Sequence, residues 1–194
     1  MKKLLLLLLL CLPFLSYTQD SDRVLEIREM YKETKSYAKK GDCNTIRWLS
    51  NYPGIGEELD YGIERKVTRC IYPEGYSRIS LNFNITECGG GLMVNAEYYY
   101  EGGYYVDLER LDDNLYRDGT LYFAYITYTK RNGGKDQNHH PDVRLYFNSD
   151  GSIEKVLEDL GDGNAEIKDK NEIESIRENE LKWLDTARKA FRLW

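Results

Sequence analysis

The run Leu121-Tyr122-Phe123-Ala124-Tyr125-Ile126-Thr127-Tyr128 decides the fold. It is apolar or aromatic at nearly every position, so a strand built from it presents such side chains to both faces and belongs in the middle of a sheet. Working outward, residue character repeats every two positions from about Gly62 to Leu160. That period predicts strands over 63–72, 77–86, 91–100, 103–111, 119–130, 143–148 and 152–158. In the second of these, Leu81, Phe83 and Ile85 alternate with Asn82, Asn84 and Thr86, the pattern of a strand with one wet face.

The turns between strands share one chemistry. Pro73-Glu74-Gly75, Glu101-Gly102-Gly103, Arg117-Asp118-Gly119 and Ser149-Asp150-Gly151 each place glycine after an acidic residue, or a glycine pair, between aromatic flanks. Glycine supplies the positive φ of a tight hairpin. The spacings between these glycines are unequal (27, 17 and 32 residues), so they mark a meander rather than a repeat array.

Helical periods flank the strands. Val24, Ile27, Tyr31, Thr34 and Ala38 recur at helical spacing between Asp20 and Lys40, with Ser21 or Asp22 as cap and Gly41 as stop. Residues 42–61 are mixed: Thr45 to Leu49 fits a short helix or a strand, and Asn51-Tyr52-Pro53-Gly54 reads as a turn. Residues 131–142 read as a long polar loop and Gly161 to Asp169 as a polar connection. Asn171 to Leu193 is a second amphipathic helix, with Ile173, Ile176, Leu184, Ala187 and Phe191 on one face. The expected class is α+β: an N-terminal helix, an antiparallel meander of about seven strands, and a C-terminal helix packed on the sheet.

The first residues read as an address. Lys2 and Lys3 precede the unbroken run Leu4 to Leu10, and polar residues follow from Ser16, the order of a secretory signal peptide over 1–18. The apolar stretch falls short of the roughly 20 residues that span a bilayer. Cleavage before Gln19 leaves residues 19–194 as one α+β domain with no later segment to anchor it. Lipid attachment at Cys11 is disfavoured because Leu10, not a small residue, precedes it. The expected location is periplasmic or secreted.

The chain carries 33 acidic and 27 basic residues, a formal charge of −6 that becomes −8 when the two lysines leave with the leader. That acidity argues against nucleic acid and anionic membranes as partners. Tyrosine dominates the aromatics, 17 against 5 phenylalanines, which suits strands as well as contact surfaces. Cys43, Cys70 and Cys88 remain after the leader, so at most one intramolecular disulfide forms. Cys70 with Cys88 is the expected pair, because both lie near ends of adjacent predicted strands.

The segments Tyr116-Arg117-Asp118-Gly119-Thr120-Leu121-Tyr122-Phe123-Ala124-Tyr125 and Arg144-Leu145-Tyr146-Phe147-Asn148-Ser149-Asp150-Gly151-Ser152-Ile153 carry a resemblance. With the leader and the first helix, this grammar resembles small secreted Bacteroidetes proteins of unknown function. Its hairpins resemble those of MORN-type repeat proteins, from whose regular period the spacing departs. The resemblance implies an exported, non-enzymatic, β-rich protein and transfers no functional residues.

Several residue groups have the chemistry of a site. Tyr98, Tyr100, Tyr104 and Tyr122 on the strands, and His139 and His140 in the 131–142 loop, are the candidate contact residues. The histidine pair with Asp136 or Asp142 suggests a metal, but adjacent side chains on extended chain diverge, so no metal or cofactor is assigned. Asp159, Asp162, Asn164 and Glu166 are oxygen-rich without calcium-loop spacing. Glu97, Asp107 and Glu109 are strand carboxylates that a glycosidase would need in pairs. Asn84-Ile85-Thr86 is a glycosylation sequon, and Asp185-Thr186-Ala187 has the form of a bacteroidete O-glycosylation motif. The preferred reading is a binding protein for a protein or glycan. A cell-envelope carbohydrate hydrolase and an envelope structural or assembly factor are the alternatives.

Overall fold

The computed structural model describes residues 20–51, 62–87, 90–106, 115–132, 135–138, 141–159, 161 and 163–192. The fold is α+β, with a helix, an open antiparallel sheet and a second helix packed on that sheet. Helix α1 (Asp22–Ser36) precedes strands β1 (Asp42–Asn51), β2 (Gly62–Ile71), β3 (Ser77–Glu87) and β4 (Gly90–Glu101). The short β5 (Tyr104–Val106) and β6 (Leu115–Arg117) pair only with each other. Then follow β7 (Thr120–Asn132), β8 (Lys135–Asn138), β9 (Asp142–Phe147), β10 (Ile153–Asp159), β11 (Asn164–Ile167) and helix α2 (Lys170–Arg192). The main sheet runs β1-β2-β3-β4-β7-β9-β10-β11, and β8 pairs with the outer end of β7. Among the described residues, no helix is long and apolar enough to cross a membrane.

The run from Leu121 to Tyr128 lies in β7, held between β4 and β9, as its two apolar faces require. One sheet face is apolar across its centre. Ile79, Leu81 and Phe83 on β3 align there with Val94, Ala96 and Tyr98 on β4, and with Ala124 and Ile126 on β7. Helix α2 covers this face through Leu184 and Ala187, and the Trp183 ring sits against Phe83 at 4.9 Å. Its 23 residues extend roughly 34 Å, a length comparable with that of the central strands.

Helix α1 lies on the opposite face. Ser21 caps it, accepting from the Val24 backbone N–H, and Val24, Ile27 and Met30 pack on Tyr99, Phe123, Tyr146 and Leu157. The helix ends at Ser36, about a turn before Gly41. Asp20 ties its start to the sheet through Lys155 at 2.8 Å. A hydrogen bond from Lys155, opposed by burial and reinforced by Arg28, holds the Asp20 carboxyl below the usual carboxylate range.

Four sequence expectations are changed or sharpened. The disulfide joins Cys43 to Cys70, not Cys70 to Cys88. These residues are direct partners across β1 and β2 with Cα atoms 4.1 Å apart, a proximity visible only once the strands are in register. Cys88 lies outside the described residues. The bridge closes a loop of 27-residue separation, worth about 3 kcal/mol on the loop-entropy model. Residues 42–51 form a full strand. It is an edge strand exposed from Asp42 to Thr45, so no clean alternation is required of it. The 131–142 segment is largely strand rather than loop, since Lys135–Asn138 folds back on Thr129–Asn132. The polar 161–169 connection likewise contains β11, paired to β10.

The three glycine turns at 75, 102–103 and 119 meet at one end of the sheet. The Gly103 N–H donates to the Gly75 carbonyl at 2.8 Å. Asp118, beside Gly119, accepts from Arg69 Nε at 3.2 Å, Arg69 Nη2 at 2.5 Å and Ser77 Oγ at 3.3 Å. The turns therefore support one another as well as closing their own hairpins.

Candidate functional site

A helix is about 10 Å wide, whereas the 12 residues of β4 run roughly 40 Å. One helix laid across the strands therefore covers only part of a sheet face, and residue chemistry changes at the edge of α1. Cross-strand register makes the change explicit. The row under the helix includes Tyr99, Phe123 and Tyr146. The next row reads Thr45, Thr68, Ser80, Glu97, Tyr125 and Arg144. Beyond it come Arg47, Lys66, Asn82, Asn95 and Thr127. Apolar residues give way to hydroxyls, amides and charges because this part of the face meets water.

Those open rows line a concavity of about 320 Å³ bounded by Lys66, Thr68, Ser80, Asn82, Asn95, Glu97, Tyr125 and Thr127. The Asn82 amide donates to Asn95 Oδ1, and Asn95 Nδ2 reaches Thr127 Oγ1 at 3.5 Å. Thr45 and Thr68 share a hydroxyl hydrogen bond of 2.9 Å. Each cross-strand link leaves further donor or acceptor capacity on its amide or hydroxyl.

Glu97 anchors the border with the helix. It accepts from Tyr99 Oη at 2.6 Å, Arg78 Nη1 at 3.1 Å and Lys35 Nζ at 3.2 Å. Lys35 also lies over the rings of Tyr31 and Tyr99, at 5.3 and 5.5 Å.

A second concavity, about 380 Å³, lies between α1 and the β7–β9 pair, lined by Ile27, Arg28, Tyr31, Phe123, Tyr125, Arg144 and Tyr146. Tyr125 is the wall common to both. Its hydroxyl donates to Asp142 Oδ2 at 2.7 Å, and the Arg144 guanidinium lies 5.5 Å from its ring centroid. Burial, then the Asp142 hydrogen bond, pushes the Tyr125 phenol up to about 12.

The structure separates the sequence candidates. Tyr98, Tyr100 and Tyr122 are 0 % exposed, so they are core residues and not contact residues as they stand. Alternation assigned tyrosine to strands but could not tell which face each helix would cover. Tyr122 Oη is instead 2.9 Å from Thr34 Oγ1 of α1. Tyr104 is 61 % exposed on the small β5–β6 pair. His139, His140, Asp107, Glu109 and Asp162 lie outside the described residues. Asp159 and Asn164 both contact Arg144, and Glu166 contacts Lys155, so this oxygen-rich stretch is engaged by cations. Among the described residues, no group of three or more His, Cys, Asp or Glu is placed to hold a metal. Thr186 of the O-glycosylation motif donates its hydroxyl to Lys182 O inside α2. The Ser80, Asn82, Asn95 and Thr127 group was legible only as a wet face, because register brings it together.

Burial alters the acid–base behaviour of the tyrosines. It is the leading cause that pushes the phenols of Tyr98, Tyr99, Tyr100, Tyr122 and Tyr128 above their ordinary value of 10.0. A folded-state pKa above the unfolded one means stability is intact below pH 10 and is lost as pH rises beyond it. The tyrosinate absorbance of these five phenols is therefore expected to appear above pH 10 in one cooperative step, together with loss of the β-sheet circular dichroism signal. Ionisation of every tyrosine with the dichroism unchanged would contradict this burial.

Among the described residues, fold and site together define an open-sheet α+β protein with two helices and a polar part of one sheet face that neither helix covers. In comparisons with protein-family models, curated proteins and solved structures, nothing matches this chain.

Proposed function

We propose that this is an exported, non-enzymatic binding protein that takes a glycan on the open polar face. The carrying observation is the amide and hydroxyl cluster of Ser80, Asn82, Asn95 and Thr127 beside the half-buried Tyr125. Sugars present alternating hydroxyls and C–H faces, which suit amide hydrogen bonds and an aromatic wall respectively. A protein partner would favour an apolar centre with aromatic anchors, and three of the four candidate tyrosines, Tyr98, Tyr100 and Tyr122, are buried. A hydrolase would need one carboxyl free to exchange a proton near a second carboxylate. Glu97 is held by three donors and Asp142 by Tyr125, which favours holding a sugar over cutting it. An assembly factor would offer an apolar helix face, whereas Leu184 and Ala187 of α2 are packed on the sheet.

A printed array of oligosaccharides tests the binding reading. The chain is expected to bind at least one member, and Asn95→Ala to weaken it about tenfold. Binding to no sugar would overturn the reading. Export is tested separately by N-terminal mass spectrometry of the chain expressed in bacteria. A chain outside the cytoplasm beginning at or next to Gln19 is expected, and a cytoplasmic chain that retains Met1 to Thr18 would overturn export.

A further inference from the structure

The open face has an uneven charge distribution. Arg47 and Lys66 stand directly opposite each other on β1 and β2. Like charges in direct cross-strand register repel, and among the described residues neither has an ion-pair partner. Toward the helix, Arg78 and Lys35 share the single carboxylate of Glu97. Across β1 to β4, the two open rows and the donors to Glu97 thus hold four cations, Arg47, Lys66, Arg78 and Lys35, and one carboxylate, on a chain whose formal charge is −6. At the other end cations are not in excess: Arg144 stands against Asp159, and a second carboxylate, Asp142, accepts from the neutral Tyr125 hydroxyl. The overall negative charge does not cancel this local excess, because ionic screening limits its reach to about 8 Å at physiological salt.

We infer that the glycan is acidic, with a carboxylate or sulfate seated at Lys66 and Arg47 while another part of it rests against Tyr125. The inference rests on the glycan reading above and gives it a direction. From β2 to β7 is three strand spacings, roughly 14 Å, so the ligand is an oligosaccharide lying across the strands rather than one sugar. Asn82 and Asn95 stand between the two ends and supply neutral contacts along the way.

The test is an array that pairs each uronic-acid oligosaccharide with its carboxyl-reduced form and each sulfated one with its desulfated form. Dissociation constants follow for the pairs that bind, with the full chain and with Lys66→Gln and Arg47→Gln. Both substitutions lie on the wet face, and unchanged thermal melting checks that each variant folds. The expected result is binding of an acidic member at least about tenfold tighter than its neutral counterpart, with each substitution removing about tenfold. Which class binds identifies carboxylate or sulfate. A neutral sugar bound as tightly as its acidic counterpart overturns the acidic assignment and leaves the glycan reading standing. Acidic binding indifferent to both substitutions also overturns it, because the anion would sit elsewhere. No binding anywhere removes the glycan reading itself.

Discussion

Gly119→Ala is expected to destabilise the fold by about 3 kcal/mol or more, the upper range for forcing extra volume into closely packed structure. A Cβ at this position would lie 1.7 Å from the Glu101 carbonyl oxygen and 2.6 and 2.7 Å from the carbonyl carbons of Glu101 and Gly102. All three are backbone atoms, so no side-chain rotation relieves the clash. The turn that would have to retreat is itself tied, since Gly103 donates to Gly75 O. Asp118, next in the chain, holds Arg69 and Ser77 at the same end of the sheet. Gly102→Ala is the matched control. It has open space around its Cβ and only a φ of 69° against it, so a loss of about 1 kcal/mol is expected. Urea unfolding midpoints compare the two. A Gly119→Ala midpoint no lower than that of Gly102→Ala would show that the turns do not pack as described.

Tyr98→Ala is expected to lower stability by about 4 kcal/mol, the range for deleting a large buried ring. Tyr98 is 0 % exposed within the core under α2, and its hydroxyl donates to Glu180 O of that helix at 2.7 Å. Tyr128 donates to Glu180 Oε2 at the same distance, so the two phenols dock one turn of α2 onto the sheet. Tyr98→Phe keeps the ring and removes only the hydroxyl, for an expected loss of about 1 kcal/mol. The pair separates packing from hydrogen bonding. If Tyr98 instead served as a contact residue on a wet surface, both variants would unfold at the wild-type denaturant concentration.

These two residues also mark how far the sequence could be read. Gly119 was legible as a turn residue, because the aromatic and acidic flanks around it demand a reversal. Its contact with Glu101 was not, because that carbonyl reaches it only when β4 and β7 are paired. Tyr98 was legible as a strand residue. Its burial was not, since a tyrosine has an apolar body and a polar tip and suits either face of a sheet. The expected Cys70–Cys88 pair gave way to Cys43–Cys70 for a related reason. Residues 42–51 form an edge strand whose side chains are exposed from Asp42 to Thr45, and their period is too weak to expose the register that sets Cys43 against Cys70. The polar amide row was visible in part, as Asn82 and Asn84 against Leu81 and Phe83. Its continuation through Asn95 to Thr127 depends on pairing across three strands.

Taken alone, the sequence determined the class of fold. Side chains on a strand alternate and side chains on a helix recur every three or four residues, so local pattern is enough to specify helix, meander, helix. The tertiary structure decided which sheet face is which. Both faces of β7 are aromatic, and only the placement of α1 over Tyr99, Phe123 and Tyr146 leaves Glu97, Asn95 and Thr127 in water. A helix narrower than the strands are long cannot cover a whole face. The uncovered rows, with Arg47 and Lys66 at one end and Tyr125 at the other, are where we propose that this protein binds its ligand.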